Sequence, residues 1–188
     1  MTEQKNILRA GNFFFRYRAV IAVPFFIALV LLSKRPYSLV VPVVLTLVGL
    51  AVRSWAAAYV GKGSRGTTIL AEYRIVNGPY RFYRHPIYLG NLLLVYGTVV
   101  LFNPGVLFSI LVIFLFLVEY SIIIKTEDEY LINKEPKMVR FSFQNLAHEL
   151  STLLVMIVIY LIYVLRFVVF SRILPVLTLS CALIYFQK

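Results

Sequence analysis

Two short segments of this chain contain the residue types that could do chemistry. The first runs from Asn77 to Gly90 and holds Arg81, Arg84 and His85, and the second is the acidic run Glu127-Asp128-Glu129. Arginines beside a helix N-terminus attract a carboxylate or phosphate, because the helix dipole and free backbone N–H groups favour an anion there. Carboxylates accept hydrogen bonds from a ribose diol or balance a positive charge. Together the two segments would suit a zwitterionic ligand with a cationic centre.

Each of these residues also has a purely structural interpretation. His85, beside Pro86, could cap a helix, and the arginines could anchor the chain at a membrane surface. Tyr80, Tyr83 and Tyr88 could form an interfacial aromatic belt, and the acidic run a solvated helix face. The functional interpretation therefore depends on whether the fold brings the two segments together.

The composition indicates the medium in which the chain folds. Its 188 residues are 61% hydrophobic and only 14% charged, with a mean hydropathy of +0.85. A soluble domain is much less apolar, and the apolar runs here approach the roughly 20 residues that a helix needs to cross a bilayer. The short alternating segments of a membrane barrel are absent. We therefore predict an all-α, polytopic helical membrane protein with about five or six transmembrane helices.

Turn signals between the apolar runs predict a central hairpin. In chain order, the predicted spans are Phe13 to Leu32, Ser38 to Val60, Pro86 to Phe102, Val106 to Lys125, Leu146 to about Leu165, and a short run from Ile173 to Phe186. Pro86 suits the first turn of a helix, and Asn103-Pro104-Gly105 is an uncharged turn signal. A hairpin over residues 86–125 would return His85 and the acidic run to the same membrane face.

The whole chain, residues 1–188, is predicted to form one integral membrane domain. Residues 61–85 form a cytosolic or interfacial connecting segment, residues 126–145 a cytosolic segment, and residues 146–188 a C-terminal transmembrane hairpin. The segments between the first five spans and before them contain four, two, five, no and four lysines and arginines in chain order. By the positive-inside rule, this alternation places the N-terminus and both chemical segments in the cytosol.

Charge and cysteine content exclude other classes of protein. The net charge of +11 comes from bases between apolar runs, which is typical of loops that face anionic lipids rather than nucleic acid. Cys181 is the only cysteine, so no internal disulfide or cysteine-based metal cluster is expected. The first apolar run lacks a signal-peptide cleavage pattern and is expected to remain as an anchor.

The two segments also resemble a known group of enzymes. The motifs are Gly78-Pro79-Tyr80, then Arg84-His85-Pro86-Ile87-Tyr88-Leu89-Gly90, then Glu127-Asp128 followed by Leu131. They resemble the isoprenylcysteine carboxyl methyltransferase and phospholipid methyltransferase superfamily of integral membrane enzymes, over roughly Arg53 to Leu131. The resemblance implies methyl transfer from S-adenosyl-L-methionine, bound on the cytosolic side, to a lipid-like acceptor that arrives from the bilayer, and it implies that no metal is needed.

The resemblance also implies roles for particular residues. The catalytic candidates are Arg84, His85 and Glu127. The candidates for cofactor binding are Gly78, Pro79, Tyr80, His85, Pro86, Tyr88, Gly90, Glu127 and Asp128. A carboxylate acceptor would need Arg84 to hold it, whereas an amine acceptor would need Glu127 or His85 as a base. Both acceptor classes stay open, as does the oligomeric state.

A further pair of charges lies inside the predicted spans. At about 1.5 Å per residue, Arg53 and Glu119 lie at similar depths, roughly 10 Å from the same membrane face. Buried charges in membranes are rarely unpaired. We therefore predict that Arg53 and Glu119 pair, or line a cavity that leads to the acceptor site.

Two other functions fit the same composition. A membrane reductase of the sterol type would share related architecture and use NADPH, and a small transporter or scaffold would use no cofactor. Titration with S-adenosylhomocysteine and with NADPH separates the three.

Overall fold

The protein is almost entirely helical in the computed structural model, which describes residues 2–60 and 73–169. In chain order, the helices are α1 (Thr2–Leu31), α2 (Val40–Val60), α3 (Pro86–Phe102), α4 (Val106–Leu131), α5 (Phe143–Leu146) and α6 (Leu150–Val164). Two short strands, β1 (Arg74–Ile75) and β2 (Pro136–Lys137), pair in parallel. The predicted all-α class is confirmed.

Four helical segments of the described residues are long and apolar enough to cross a bilayer. They are Leu8–Leu31, Val40–Val60, Val106–Leu131 and Phe143–Phe167. Helix α3 is equally apolar but shorter, at 17 residues, and rises about 25 Å at 1.5 Å per residue. The chain is therefore an integral membrane protein. The predicted run 173–186, and with it the second arm of a C-terminal hairpin, lies outside the described residues.

Helices α1 and α4 extend beyond their predicted bounds. Helix α1 is already helical at Thr2, before the predicted start at Phe13. Helix α4 continues to Leu131, past the predicted end at Lys125. Glutamate and lysine favour helix as much as leucine does, so the helix persists where the sequence becomes polar. As a result, the acidic run lies on the last turns of a rigid helix and not in a loop.

Helices α3 and α4 form the predicted hairpin. Pro86 occupies the first turn of α3, where no N–H group is required. At the far end, Asn103 caps α3 with a φ of 45°, and Gly105 leads into Val106 with a φ of 105°. Asparagine and glycine tolerate positive φ better than other residues. The chain therefore reverses at this turn, and the opposite ends of the two helices meet near His85.

The two arms of the hairpin pack against different neighbours, α3 mainly on α2 and α4 mainly on α1. A Cβ at Gly90 of α3 would lie only 2.8 Å from the Cβ of Arg53 on α2. Gly11 of α1 faces Thr126 of α4 so closely that a Cβ would overlap the threonine side chain. Small residues let membrane helices approach in this way, and they bring polar side chains of all four helices close together.

The connecting segments fold against each other at the end of the bundle that carries His85. The side chain of Asn77 donates to the carbonyl of Val139 at 2.8 Å and accepts from its amide at 3.0 Å, which extends the pairing of β1 with β2. The Ser142 amide and the Asn145 side chain both donate to the carbonyl of Ala58, at 3.1 and 3.0 Å. Helix α5 is thereby anchored to the last turn of α2.

Candidate functional site

His85, the residue before α3, lies between two carboxylates of α4. Its Nε2 atom is 3.0 Å from Asp128 Oδ1, and its Nδ1 atom is 3.2 Å from Glu127 Oε2. The side chain is only 7% exposed. These contacts confirm that the hairpin brings His85 and the acidic run together at one end of the helix bundle.

The protonation state of His85 follows from its neighbours. Both ring nitrogens face a carboxylate, an arrangement that suits the doubly protonated imidazolium. Burial lowers the pKa of His85, but the hydrogen bonds and negative charges of Glu127 and Asp128 outweigh burial and raise the pKa above its ordinary value of 6.5. The two carboxylates therefore favour the imidazolium form of His85 over the neutral ring.

Arg84 extends this cluster toward solvent. Its Nη1 atom lies 3.1 Å from Asp128 Oδ1, and its side chain is 52% exposed. Asp128 thus has two cationic neighbours, Arg84 and His85. Arg81 closes the short 3-10 helix Gly78–Arg81 and is exposed. The role of Arg84 in holding an acceptor carboxylate stays a prediction, since here its partner is Asp128.

Glu127 has a buried oxygen with acceptor capacity to spare. Its Oε2 atom lies 3.2 Å from His85 Nδ1, and a carboxylate oxygen can accept a second hydrogen bond. The Tyr88 hydroxyl faces the same carboxylate, and the Tyr88 ring stacks on His85 at 5.7 Å. No other described residue donates to the Oε2 atom. The arrangement points to a donor or a cation supplied by a ligand.

Tyr80 borders the same carboxylate. Burial raises the pKa of the Tyr80 phenol, and the negative charge of Glu127 raises it further, against a smaller opposite effect of Arg53. Tyr80 therefore stays a neutral hydroxyl at any physiological pH and can donate a hydrogen bond near Glu127.

Three other candidates for cofactor binding have clear packing roles. Gly78 has a φ of 61°, and its missing side chain makes room for the ring of Tyr59. Pro79 is buried in the first turn of the 3-10 helix, and Gly90 faces α2. Their contact with a cofactor stays a prediction. The same glycines and proline would appear in the motif for packing reasons alone.

The start of α3 offers fewer free amides than expected. Pro86 has no N–H group, and the amides of Tyr88 and Leu89 donate to the carbonyl of His85 at 3.1 and 3.4 Å. The seat for an anion at this helix start therefore relies on the dipole and on neighbouring side chains more than on the backbone.

The predicted pairing of Arg53 with Glu119 is wrong. Arg53 Nε lies 2.6 Å from Glu149 Oε2, whereas Glu119 Oε1 is buried without a hydrogen-bond partner among the described residues. Depth along a helix can be counted from sequence, but the direction of a side chain around the helix axis cannot. Glu149 lies within the predicted fifth span, and an acid inside an apolar span was the available signal.

A groove of about 770 Å³ lies at the other end of the hairpin, near the Asn103 turn. Its walls are mostly apolar side chains of α3 and α4, such as Tyr96 and Ile113. Neither Arg53 nor Glu119 lines it. The groove is therefore separate from the His85 cluster, and a cavity lined by those two charges stays a prediction.

The fold and these contacts define a class: a polytopic helical membrane protein with a carboxylate–imidazole–guanidinium cluster at one end of a helical hairpin. Residues 42–133, just under half of the chain, match the model of the isoprenylcysteine carboxyl methyltransferase family. The match confirms the predicted resemblance and includes α3, α4 and nearly all of α2. Helices α1, α5 and α6 lie outside it. Comparison with curated proteins and with solved structures found no match.

Proposed function

We propose that the protein is an S-adenosylmethionine-dependent methyltransferase that acts on a lipophilic acceptor partitioned in the membrane. The acceptor group is the carboxylate of a prenylated or lipid-like molecule, or the amine of a lipid headgroup. The observation that carries the proposal is the buried Oε2 atom of Glu127, 3.2 Å from His85 and able to accept a further hydrogen bond. The match of residues 42–133 to a methyltransferase family model supports the reaction class.

The residues present fit S-adenosylmethionine, which carries a ribose diol, a sulfonium and an amino-acid carboxylate. Glu127 Oε2 would accept from a ribose hydroxyl or balance the sulfonium charge. The dipole of α3, with Arg81 and Arg84, would attract the carboxylate. When bound, the cofactor supplies an electrophilic methyl group.

The chain's own residues would act by positioning and by excluding water. His85 and Arg84 hold Asp128 from two sides, which keeps the carboxylates on α4 in a fixed orientation. Because both ring nitrogens of His85 face carboxylates, accepting a proton from an amine acceptor falls to Glu127. A carboxylate acceptor needs no base, and Arg84 is the candidate to hold it.

The orientation in the membrane belongs to the same proposal. We place the N-terminus and the site on the cytosolic side, together with the segments 61–85 and 126–145, because the basic residues concentrate there. Anionic lipid headgroups would neutralise these bases.

Calorimetric titration of the detergent-purified protein with S-adenosylhomocysteine tests the proposal. The wild type should bind, and His85→Ala and Glu127→Gln should each weaken binding at least about tenfold, or about 1.4 kcal/mol. Glu129→Gln is the matched control, because it removes the same charge from an exposed position on the same helix.

Each alternative has its own outcome in this titration. Unchanged affinity in both site variants would defeat the site assignment. Binding of NADPH in place of S-adenosylhomocysteine would indicate the reductase. Binding of neither would indicate a transporter or scaffold.

A further inference from the structure

A buried charge pair begins a chain of polar contacts that crosses the bundle from α6 to α4. Arg53 and Glu149 are only 9% and 5% exposed. Besides its 2.6 Å contact with Glu149, Arg53 Nε donates to Thr152 Oγ1 at 3.2 Å. Separating two such charges inside a membrane is costly. The guanidinium is therefore a fixed point within the helix bundle.

Asn91 of α3 continues the chain. Arg53 Nη1 donates to Asn91 Oδ1, and Asn91 Nδ2 donates to the Tyr120 hydroxyl at 3.1 Å. A guanidinium can only donate, so the amide oxygen must face Arg53 and the amide nitrogen must face Tyr120. The charge pair thus determines which way the amide points.

This orientation leaves the proton of Tyr120 available. The hydroxyl oxygen accepts from Asn91, so its own O–H points elsewhere, and no described residue accepts it. A hydroxyl can accept and donate at once. Tyr120 therefore presents an oriented donor within the bundle.

Tyr120 adjoins the candidate site. Its ring meets the Tyr88 ring edge to face at 5.2 Å, and Tyr88 in turn stacks on His85 and faces Glu127. At 1.5 Å per residue, Tyr120 lies about 10 Å along α4 from Glu127. A ligand that extends from Glu127 into the bilayer would reach it.

We propose that Tyr120 donates a hydrogen bond to an oxygen of the bound ligand, and that Asn91, Arg53 and Glu149 are positioning residues that aim it. The inference rests on the proposed function. The oxygen belongs either to the amino-acid carboxylate of the methyl donor or to the headgroup of the methyl acceptor. Because Glu149 lies outside residues 42–133, the residue before α6 completes the site from beyond the family segment.

Two measurements on Tyr120→Phe and Glu149→Gln separate the two sources of oxygen. The first is S-adenosylhomocysteine affinity, and the second is transfer of labelled methyl from S-adenosylmethionine into the lipid extract of native membranes that contain the protein. Loss of one neutral hydrogen bond should cost about 3- to 10-fold in one of them. The control is Tyr160→Phe, which removes a hydroxyl bonded to Thr46 at 3.1 Å, away from His85.

Weaker S-adenosylhomocysteine affinity in Tyr120→Phe would show that Tyr120 hydrogen-bonds to the methyl donor. Weaker methyl transfer at unchanged affinity would show that it hydrogen-bonds to the methyl acceptor. If both readouts match the control in Tyr120→Phe, the proposal is overturned. If Glu149→Gln lowers only the melting temperature, the positioning role is overturned and the pair is structural.

A double-mutant cycle distinguishes failure of the Tyr120 proposal from failure of the proposed function. Should the wild type neither bind nor transfer, the melting temperatures of Glu149→Gln, Tyr120→Phe and the double variant still test the polar chain. Coupled changes would support the connection. Additive changes would overturn it.

Discussion

His85 Nε2 lies 3.0 Å from Asp128 Oδ1, although 43 residues separate the two in the chain. The contact exists because α3 and α4 reverse at the Asn103 turn, so the start of one helix meets the end of the other. Asp128 lies on α4, and His85 directly precedes the first residue of α3. The site therefore depends on the register of the two hairpin arms.

We expect His85 to titrate above 6.5, because two carboxylates stabilise its imidazolium. Histidine-selective nuclear magnetic resonance can measure this pKa, since the chain has only two histidines and His85→Gln assigns the signal. Glu127→Gln should lower the pKa by removing one charge. A pKa at or below 6.5 in the wild type would contradict the arrangement.

The raised pKa of His85 also predicts how stability changes with pH. A group whose pKa is raised on folding stabilises the protein fully below its unfolded-state pKa, and this contribution is lost as pH rises through the folded-state pKa. The melting temperatures of the wild type and His85→Gln should therefore converge above pH 6.5. A gap that widens with rising pH would have the wrong sign.

Arg53→Met should lower the free energy of unfolding by about 3–5 kcal/mol, because it removes the cation beside a buried carboxylate. Adding Glu149→Leu should restore much of the loss, since the second charge then no longer needs compensation. Unfolding in sodium dodecyl sulfate, followed by circular dichroism, compares the variants. Equal stability of Arg53→Met and the wild type would show that the pair contributes nothing.

Gly78→Ala should be more destabilising than Gly105→Ala. Both glycines have positive φ, 61° and 105°, where a Cβ costs about 1–2 kcal/mol or more. Only at Gly78 does a ring, that of Tyr59, also occupy the space of the new methyl group, whereas nothing lies within 4 Å at Gly105. Melting temperatures measure the difference, and equal shifts would mean that Tyr59 moves aside at no cost.

Gly90→Ala separates packing from cofactor contact. A Cβ at Gly90 would lie 2.8 Å from Arg53 Cβ, while one at Gly97 would lie 3.1 Å from Thr46 Oγ1. We expect Gly90→Ala to lower the melting temperature more than Gly97→Ala, with S-adenosylhomocysteine affinity unchanged in the folded fraction. Weaker affinity at an unchanged melting temperature would instead favour direct contact of Gly90 with the cofactor.

Local signals in the sequence were enough to predict the hairpin. Pro86 and the Asn103-Pro104-Gly105 turn mark its ends, and the predicted bounds of α3 agree with the structure. The end of α4 was placed too early, because the apolar run stops at Lys125 while the helix continues to Leu131. Polarity marks where a helix leaves the apolar layer, not where it ends.

The contacts between connecting segments had no such signal. Strands β1 and β2 pair although they lie more than sixty residues apart in the sequence, and each has only two residues. Two hydrogen bonds between Asn77 and Val139 extend this pairing. Strands this short have no periodicity that a sequence pattern could reveal. Their pairing depends on how α2, α3 and α4 bring the segments together.

The sequence by itself determined the membrane location, the central hairpin and the resemblance to a methyltransferase family, because apolar runs, turn residues and motif spacing are all local properties. It also determined that His85 and Glu127 share one face, since helix lengths decide the depth of each end. Only the tertiary structure decided that Arg53 pairs with Glu149 and not with Glu119. The rotation of each helix about its axis is determined by close packing against other helices, such as that of Gly90 on α2. It therefore cannot be predicted from the sequence of one segment alone.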